Sequence, residues 1–212
     1  MSIVELLQEE KWQQSRIYGV VAGIVTNNSD PDGLGRVKVK IPRINNEDES
    51  NWARVVSFMA GKERGGFFLP EVDDEVLVAF EFGDINMPYI IGSLWNGVDK
   101  PPETNGDGKN NKRFIKSRSG HIIRLNDEDG KEMIEIVDKT EKNSIVFDTA
   151  KNTITISTDK DITLSAPQGT VMIEAQKIEM KSSAEVKIEA GSTMDVKSSA
   201  TMTVKGATVN IN

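Results

Sequence analysis

Short apolar pairs recur at a nearly constant interval in the last part of the chain. From Ile154 onward the pairs begin at positions 154, 162, 171, 178, 186, 194, 202 and 209, in steps of seven to nine residues. Because strand side chains alternate between two faces, a period of eight keeps the pairs on one face. Small residues such as Ser182-Ser183 and Ala190-Gly191 follow five of the leads at a fixed offset. The pattern predicts short strands joined by tight bends.

The length of this repeat determines how its apolar side can be buried. A single chain with three strands per coil would complete only two and a half coils or so over residues 154–212, and both ends of its core would stay open. Three chains wound around one another would instead close a triangular prism, so we predict an intertwined homotrimer. Its predicted core consists of Ile154, Ile156, Ile162, Leu164, Val171, Ile173, Ile178, Met180, Val186, Ile188, Met194, Val196, Met202 and Val204.

Charges alternate in sign on the outward positions of the same repeat. The two rows are Glu179, Lys187, Asp195 and Lys181, Glu189, Lys197. If one repeat lies beside the next repeat of a neighbouring chain, residues eight apart become cross-chain neighbours. The rows then predict interchain ion pairs that set the register, with a generic charged surface as the alternative.

Other β patterns precede the repeat. "HIIRLND", "EMIEIVD", "NSIVFDT" and "NTITIST" are spaced about eleven residues apart with polar turns between them, which predicts a meander of hairpin strands. Nearer the start, residues 17–26, 35–41, 52–58, 75–82 and 89–95 are rich in Val, Ile and aromatics. Five short strands without room for crossover helices predict a small antiparallel barrel of the OB type, with an SH3-like barrel as the main alternative.

These elements predict an all-β protein with an OB-fold barrel followed by a triple-stranded β-helix. The predicted organisation is a helical segment at residues 1–15, the OB domain at 16–98, a linker at 99–112, a β-meander neck at 113–153 and the β-helical spike at 154–212. The linker, "DKPPETNGDGKNNK", contains no apolar residue and is too short to hold a catalytic domain.

Composition narrows the class of protein. The chain has no cysteine, which excludes disulfides and thiolate metal sites, and no apolar run of membrane-spanning length. Its start lacks the basic region of a secretory signal, so we expect synthesis in the cytoplasm. The net charge is −7, and residues 1–98 carry nine basic against fifteen acidic side chains. This balance argues against a nucleic-acid partner.

No stretch of the sequence specifies an active site. His121 is the single histidine and has no specified partner for catalysis or metal binding. "PDGLG", "NDEDG" and Asp73-Asp74-Glu75 resemble calcium loops or an acid/base cluster only superficially, and turns explain them better. Core filling explains Met180, Met194 and Met202 better than a soft-metal site does. We therefore expect no catalytic residue, no metal and no cofactor.

Four stretches carry a resemblance to a known family. They are "GLGRVKVKIP" at 33–42, "WARVVSFMAG" at 52–61, "GGFFLPEVDDEVLVAFEFGD" at 65–84 and "PYIIGSLWNG" at 88–97. Together with the terminal strand repeat they resemble the central spike proteins of contractile injection systems, the phage baseplate protein V and VgrG group. The resemblance implies a trimeric, non-enzymatic spike that is driven through a target envelope.

The resemblance also implies partners. Many relatives carry a hub domain ahead of the OB fold, and only about sixteen residues stand there in this sequence, so a separate hub protein is expected. Some relatives end in an iron-binding His-x-His apex, which is absent from Val209, Asn210, Ile211 and Asn212. A separate PAAR-like tip protein is therefore expected to dock there. The spike would belong to an assembled baseplate particle and meet the target membrane only transiently. The alternatives are a trimeric phage-fibre adhesin or depolymerase and an OB-fold nucleic-acid-binding protein.

Overall fold

The computed structural model describes residues 16–211, so the helix expected at residues 1–15 and the terminal Asn212 lie outside the described part. The described strands are β1 (Val21–Asn27), β2 (Arg36–Ile41), β3 (Asn45–Glu49), β4 (Ala53–Val55), β5 (Ala60–Gly61), β6 (Arg64–Gly65), β7 (Glu75–Phe80), β8 (Pro88–Ser93), β9 (Lys112–Lys116), β10 (Ile122–Asn126), β11 (Met133–Val137), β12 (Ser144–Asp148) and β13 (Thr153–Ser157). A single 3-10 turn occupies Glu81–Gly83. Residues 16–211 contain no helix that could span a bilayer.

Five strands close into a barrel. Strand β1 pairs antiparallel with both β2 and β7, β7 pairs with β8, and β4 closes the circle between β8 and β2. The β4–β8 pairing is parallel, whereas the other pairings are antiparallel. A five-stranded barrel with this order is consistent with an OB fold, as the sequence predicted. Strand β3 extends the sheet from β2 by a hairpin.

The barrel core is aliphatic and follows the alternation of the strands. In β2 and β7 every second residue is buried, as period-two strands with one face on a core require. The buried set is Val25, Val37, Val39, Ile41, Ala53, Val76, Val78, Phe80 and Ile90.

Two predicted strands depart most from the structure, since each lacks four of its predicted residues. The predicted segment 17–26 becomes a strand only at Val21, because Ile17 lies across the 3-10 turn and donates its amide to the Gly83 carbonyl at 2.9 Å. The segment 52–58 ends as β4 at Val55, after which the chain enters a loop that contains the small β5–β6 hairpin.

The neck is a separate five-stranded sheet. Strands β9 to β13 pair antiparallel in chain order, each with its neighbour and without register shifts. Strands β10 to β13 correspond to the four predicted hairpin segments, and β9 adds one strand before them. Contacts within the chain group residues 1–159 as one compact unit and residues 160–212 as another. The described residues from Lys160 to Ile211 form no strand ladder.

One acidic side chain organises the β1–β2 loop. Asp30 is almost completely buried and accepts hydrogen bonds from the amides of Asp32, Leu34 and Arg36 at 3.0–3.2 Å. The Arg36 guanidinium adds two bonds to the same carboxylate, at 2.8 Å and 2.7 Å. The "PDGLG" stretch is therefore a turn. The Arg36 side chain, helped by the loop amides, holds the pKa of Asp30 well below its usual range.

This arrangement predicts a pH-dependent contribution to stability. Because the folded pKa of Asp30 is depressed, its contribution is complete above the usual aspartate pKa and fades as the pH falls below about 4. Asp30→Asn should lower the melting temperature at pH 7, and the difference from wild type should shrink on acidification. Asp32→Asn is the matched control, since the Asp32 carboxylate is mostly exposed yet touches the same arginine at 2.5 Å. Thermal unfolding followed by circular dichroism tests both, and equal effects at neutral pH would contradict the assignment.

Candidate functional site

One face of the neck sheet is apolar apart from Arg113, which stands opposite Leu125 on the edge strand β9. The cross-strand register aligns two rows on this face, Ile115, Ile123, Ile136, Ile145 and Ile156 in one and Leu125, Ile134, Phe147 and Ile154 in the other. Eight of these nine side chains are exposed in the single chain, between 38% for Phe147 and 66% for Ile154. An uncovered apolar face of this extent marks an interaction surface.

The opposite face of the neck has a different chemistry. At its centre the Arg124 Nε donates to the Glu135 carboxylate at 2.6 Å, across the β10–β11 pair. This contact raises the pKa of Arg124 above its usual value. Thr153, Thr155 and Ser157 of β13 also belong to this face. It also carries apolar side chains, namely Phe114, Ile122, Met133, Val137 and Val146. The opposite face is therefore mixed but the more polar of the two, whereas the first face is almost entirely apolar and requires cover.

The apolar residues of the eight-residue repeat are exposed in the single chain as well. Ile154 and Ile156 lie in β13 and so belong both to the neck face and to the predicted trimer core. The other predicted core residues, from Ile162 to Val204, lie in the second unit, and all are 48–72% exposed in the single chain. Of the predicted tip-docking residues, Val209 is 48% and Ile211 is 90% exposed. The structure thus places these residues at the surface of one chain, and their burial between chains stays a prediction.

The predicted charge rows form local pairs in the single chain. Lys187 lies 2.7 Å from Glu189, Lys197 lies 3.6 Å from Asp195, and Glu179 contacts Lys177 and Lys181. Each pair joins residues two apart on one exposed segment, so each contributes little to stability. The predicted pairing between chains stays a prediction.

The polar stretches considered as active sites form turns. His121 accepts a hydrogen bond from the Lys139 amide on Nδ1 at 3.2 Å, and its own amide donates to the Ser117 hydroxyl. In "NDEDG" the Asn126 side chain accepts from the Glu128 amide and donates to the Lys131 carbonyl. Across residues 16–211 no three His, Cys, Asp or Glu side chains cluster in a way that could hold a metal ion.

The Asp73–Glu75 stretch is also a turn. Asp73 has a positive φ of 76° and donates its amide to the Val25 carbonyl, while the Asp74 carboxylate accepts from the Glu71 amide at 2.8 Å. The Glu75 carboxylate accepts from Asn96 at 2.8 Å. Each carboxylate or backbone group thus closes a loop of the barrel, which explains these residues without catalysis.

Comparison with known proteins assigns the barrel. Residues 21–95 match the family described as the type VI secretion system/phage-baseplate injector OB domain. This match begins at the first residue of β1 and ends two residues after β8. The barrel is similar to this injector OB domain. Part of the chain is also similar to VgrG spike proteins.

Named relatives confirm the similarity. The chain is 37% identical over 82 residues to the type VI secretion system spike protein VgrG3 of Vibrio cholerae serotype O1. The aligned region covers 37% of this chain and 8% of that protein. Identity to the spike protein VgrG1a of Pseudomonas aeruginosa is 30% over 126 residues, covering 54% of this chain and 20% of that protein. The actin cross-linking toxin VgrG1 of Vibrio cholerae is 36% identical over 77 residues, which are 7% of its length. The chain thus spans a fifth or less of these three relatives.

Truncation at one residue tests whether the apolar neck face is covered in the assembled protein. Ile136→Ala should reduce the free energy of unfolding by about 2–5 kcal/mol if partners bury this side chain, because the change leaves a cavity. With Ile136 still 46% exposed, the loss should stay below about 1 kcal/mol. Thr155→Ala on the polar face is the control and should change stability little. Denaturant unfolding of both variants gives the comparison, and equal small effects would mean that the face is open.

Proposed function

We propose that this protein is a structural, non-enzymatic spike at the centre of a contractile injection apparatus or phage-tail baseplate. It pierces the target envelope and carries a tip protein at its C-terminal end. The observation that carries the proposal is the apolar face of the neck, which one chain leaves uncovered, in a chain whose barrel is similar to an injector OB domain. The apolar pairs of the repeat are exposed in the single chain as well. The VgrG relatives, named as type VI secretion spike proteins, support the same role.

A homotrimer is the assembly that this surface favours. Strand β13 is the last strand that pairs within the described part of the chain, and the residues after it retain backbone groups that need hydrogen-bond partners. Three chains supply those partners to one another when each contributes one strand in turn to each side of a prism. The apolar pairs then meet on the axis, where each side chain contributes roughly 1.5–3 kcal/mol on burial, opposed by the entropy of ordering the chain.

The proposal includes two further partners, one at each end of the spike. A separate hub protein binds at the barrel end of the chain, and a PAAR-like tip protein docks on the last strands, around Val209 and Ile211. The protein is made in the bacterial cytoplasm, joins a baseplate particle and contacts the target membrane only during piercing. Catalytic groups, metals and cofactors have no part in this function.

Sedimentation equilibrium tests the trimer. The expected mass is three times 23.4 kDa, which is 70.2 kDa, even in dilute solution. Ile188→Asn places an amide in the predicted core and should cost at least about 2 kcal/mol per chain, because a buried polar group without a partner is unfavourable. Glu189→Asn, at the adjacent outward position, is the matched control and should leave the mass unchanged. A wild-type monomer with complete β content would refute the prism.

Deleting residues 209–212 tests the docking of the tip protein. The deletion removes one of eight strand units, so the trimer should persist in sedimentation while capture of the tip protein in a pull-down is lost. Exposed strand ends favour such a partner, since unpaired edges otherwise promote aggregation. Deleting residues 182–183 instead, inside the repeat, is the control that should disturb the trimer. Undiminished capture by the shortened trimer would rule out this docking surface.

A further inference from the structure

The loop between β4 and β7 forms an aromatic groove on the barrel. The groove, of about 690 Å³, is enclosed by this loop and the β1–β2 loop. Its large side chains point outward, since Phe58 is 82% and Phe67 is 78% exposed. The other exposed apolar groups of the lining are Leu34, Val56, Met59 and Phe68. This is a concave apolar surface, and nothing in the injector OB match says what fills it.

The groove is preformed by its glycines. The Phe58 ring lies so close over Gly66 that a Cβ at that glycine would come within 2.3 Å of it. A Cβ at Gly35 would lie 3.7 Å from the Phe67 ring, an ordinary contact distance, and the Phe58 and Phe68 ring centroids are 6.4 Å apart. The Ser57 hydroxyl holds the loop closed by donating to the Gly66 carbonyl at 2.6 Å. Preformed apolar walls lower the entropic cost of accepting a ligand side chain.

A protruding side chain stands at the same end of the barrel. Because β4 and β8 run parallel, the groove that follows β4 and Trp95 that follows β8 lie at one end. Trp95 is 70% exposed, and its turn is fixed by the Asn96 side chain, which accepts from the amides of Val98 and Asp99 at 2.8 Å and 2.7 Å. Val98 beside it is also exposed. The turn therefore presents an apolar projection that its own chain does not cover.

The surroundings of the groove and of the projection differ in charge. The β5–β6 hairpin on the groove carries Lys62, Glu63 and Arg64, a net charge of +1. Around the Trp95 turn stand Asp74, Glu75, Asp99 and Lys100, a net charge of −2. Opposite charges on two different patches favour a head-to-tail contact between copies, and such a contact closes a ring under three-fold symmetry.

We propose that Trp95 of one copy inserts into the aromatic groove of the next copy, so that three barrels form a closed ring. The inference rests on the trimer of the proposed function and specifies how its OB domains meet. The neck touches this same barrel end, where Arg118 of the β9–β10 turn lies 2.5 Å from Glu71. Trp95 with Val98 fits the groove volume, and tryptophan is the side chain with the largest apolar area to bury in such a contact.

Cross-linking of engineered cysteines tests the contact, because the natural chain has none. Trp95→Cys and Phe68→Cys are made in separate full-length chains, which are then coexpressed and treated with a short bis-maleimide. A covalent dimer between the two chains is expected, while each variant alone should give none. The matched control pairs Trp95→Cys with Phe82→Cys, whose exposed side chain lies at the other end of the barrel, and should stay unlinked.

Four outcomes decide between this inference, the proposed function and their alternatives. Trimers that cross-link in the Trp95–Phe68 mixture and not in the control support the ring. Trimers without that cross-link, in which Trp95→Ala also leaves amide exchange of residues 56–69 unchanged, overturn the ring and leave the spike function intact. A monomer in sedimentation overturns both. Protection of residues 56–69 by a single-stranded oligonucleotide instead of by a second copy would also overturn the ring.

Discussion

The apolar side that this chain cannot bury alone is the constraint on which the rest of the molecule depends. A sheet needs cover on an apolar face, and the neck presents nine aligned aliphatic and aromatic residues without any. The repeat adds further pairs that are all exposed in one chain. In the proposed trimer this part of the chain gains most of its burial by association, so its folding and its assembly would be thermodynamically one process. The barrel, with its own closed core, does not share this dependence.

The change of spacing along the chain explains how the two kinds of strand follow each other. In the neck, loops of four to six residues, such as 127–132 and 149–152, let each strand reverse and pair with its predecessor. After β13 the interval shortens to eight, and the residues left between apolar pairs suit a bend and not a reversal. In the proposed prism, consecutive segments point to different sides and take their hydrogen bonds from other chains. Ile154 and Ile156 belong both to the neck sheet and to the eight-residue repeat, so the spacing changes at β13.

Much of the fold could be predicted because its strands are marked by composition and by turns. The five barrel segments are rich in Val, Ile and aromatics, the four hairpin segments are bounded by polar turns, and the structure contains a strand in each. Strand β3, "NNEDE", was missed because it has no apolar residue and pairs only at the edge of β2. The aromatic groove was missed for a different reason. Phe67 and Phe68 follow two glycines in a loop, where no period assigns a side chain to a face.

The topology of the barrel, more than the local sequence, therefore creates the aromatic groove and the Trp95 projection. Neither Trp95 nor Phe58 stands in a pattern that indicates an interface, and they are 37 residues apart in the chain. The parallel pairing of β4 with β8 alone brings the two loops to one barrel end. Because the Asp30–Arg36 contact fixes the β1–β2 loop that forms one wall of the groove, an ion pair of the barrel also shapes its surface. Polar contacts beside an aliphatic core thus position apolar loops, and in the proposed ring those loops extend the association proposed for the neck and the repeat.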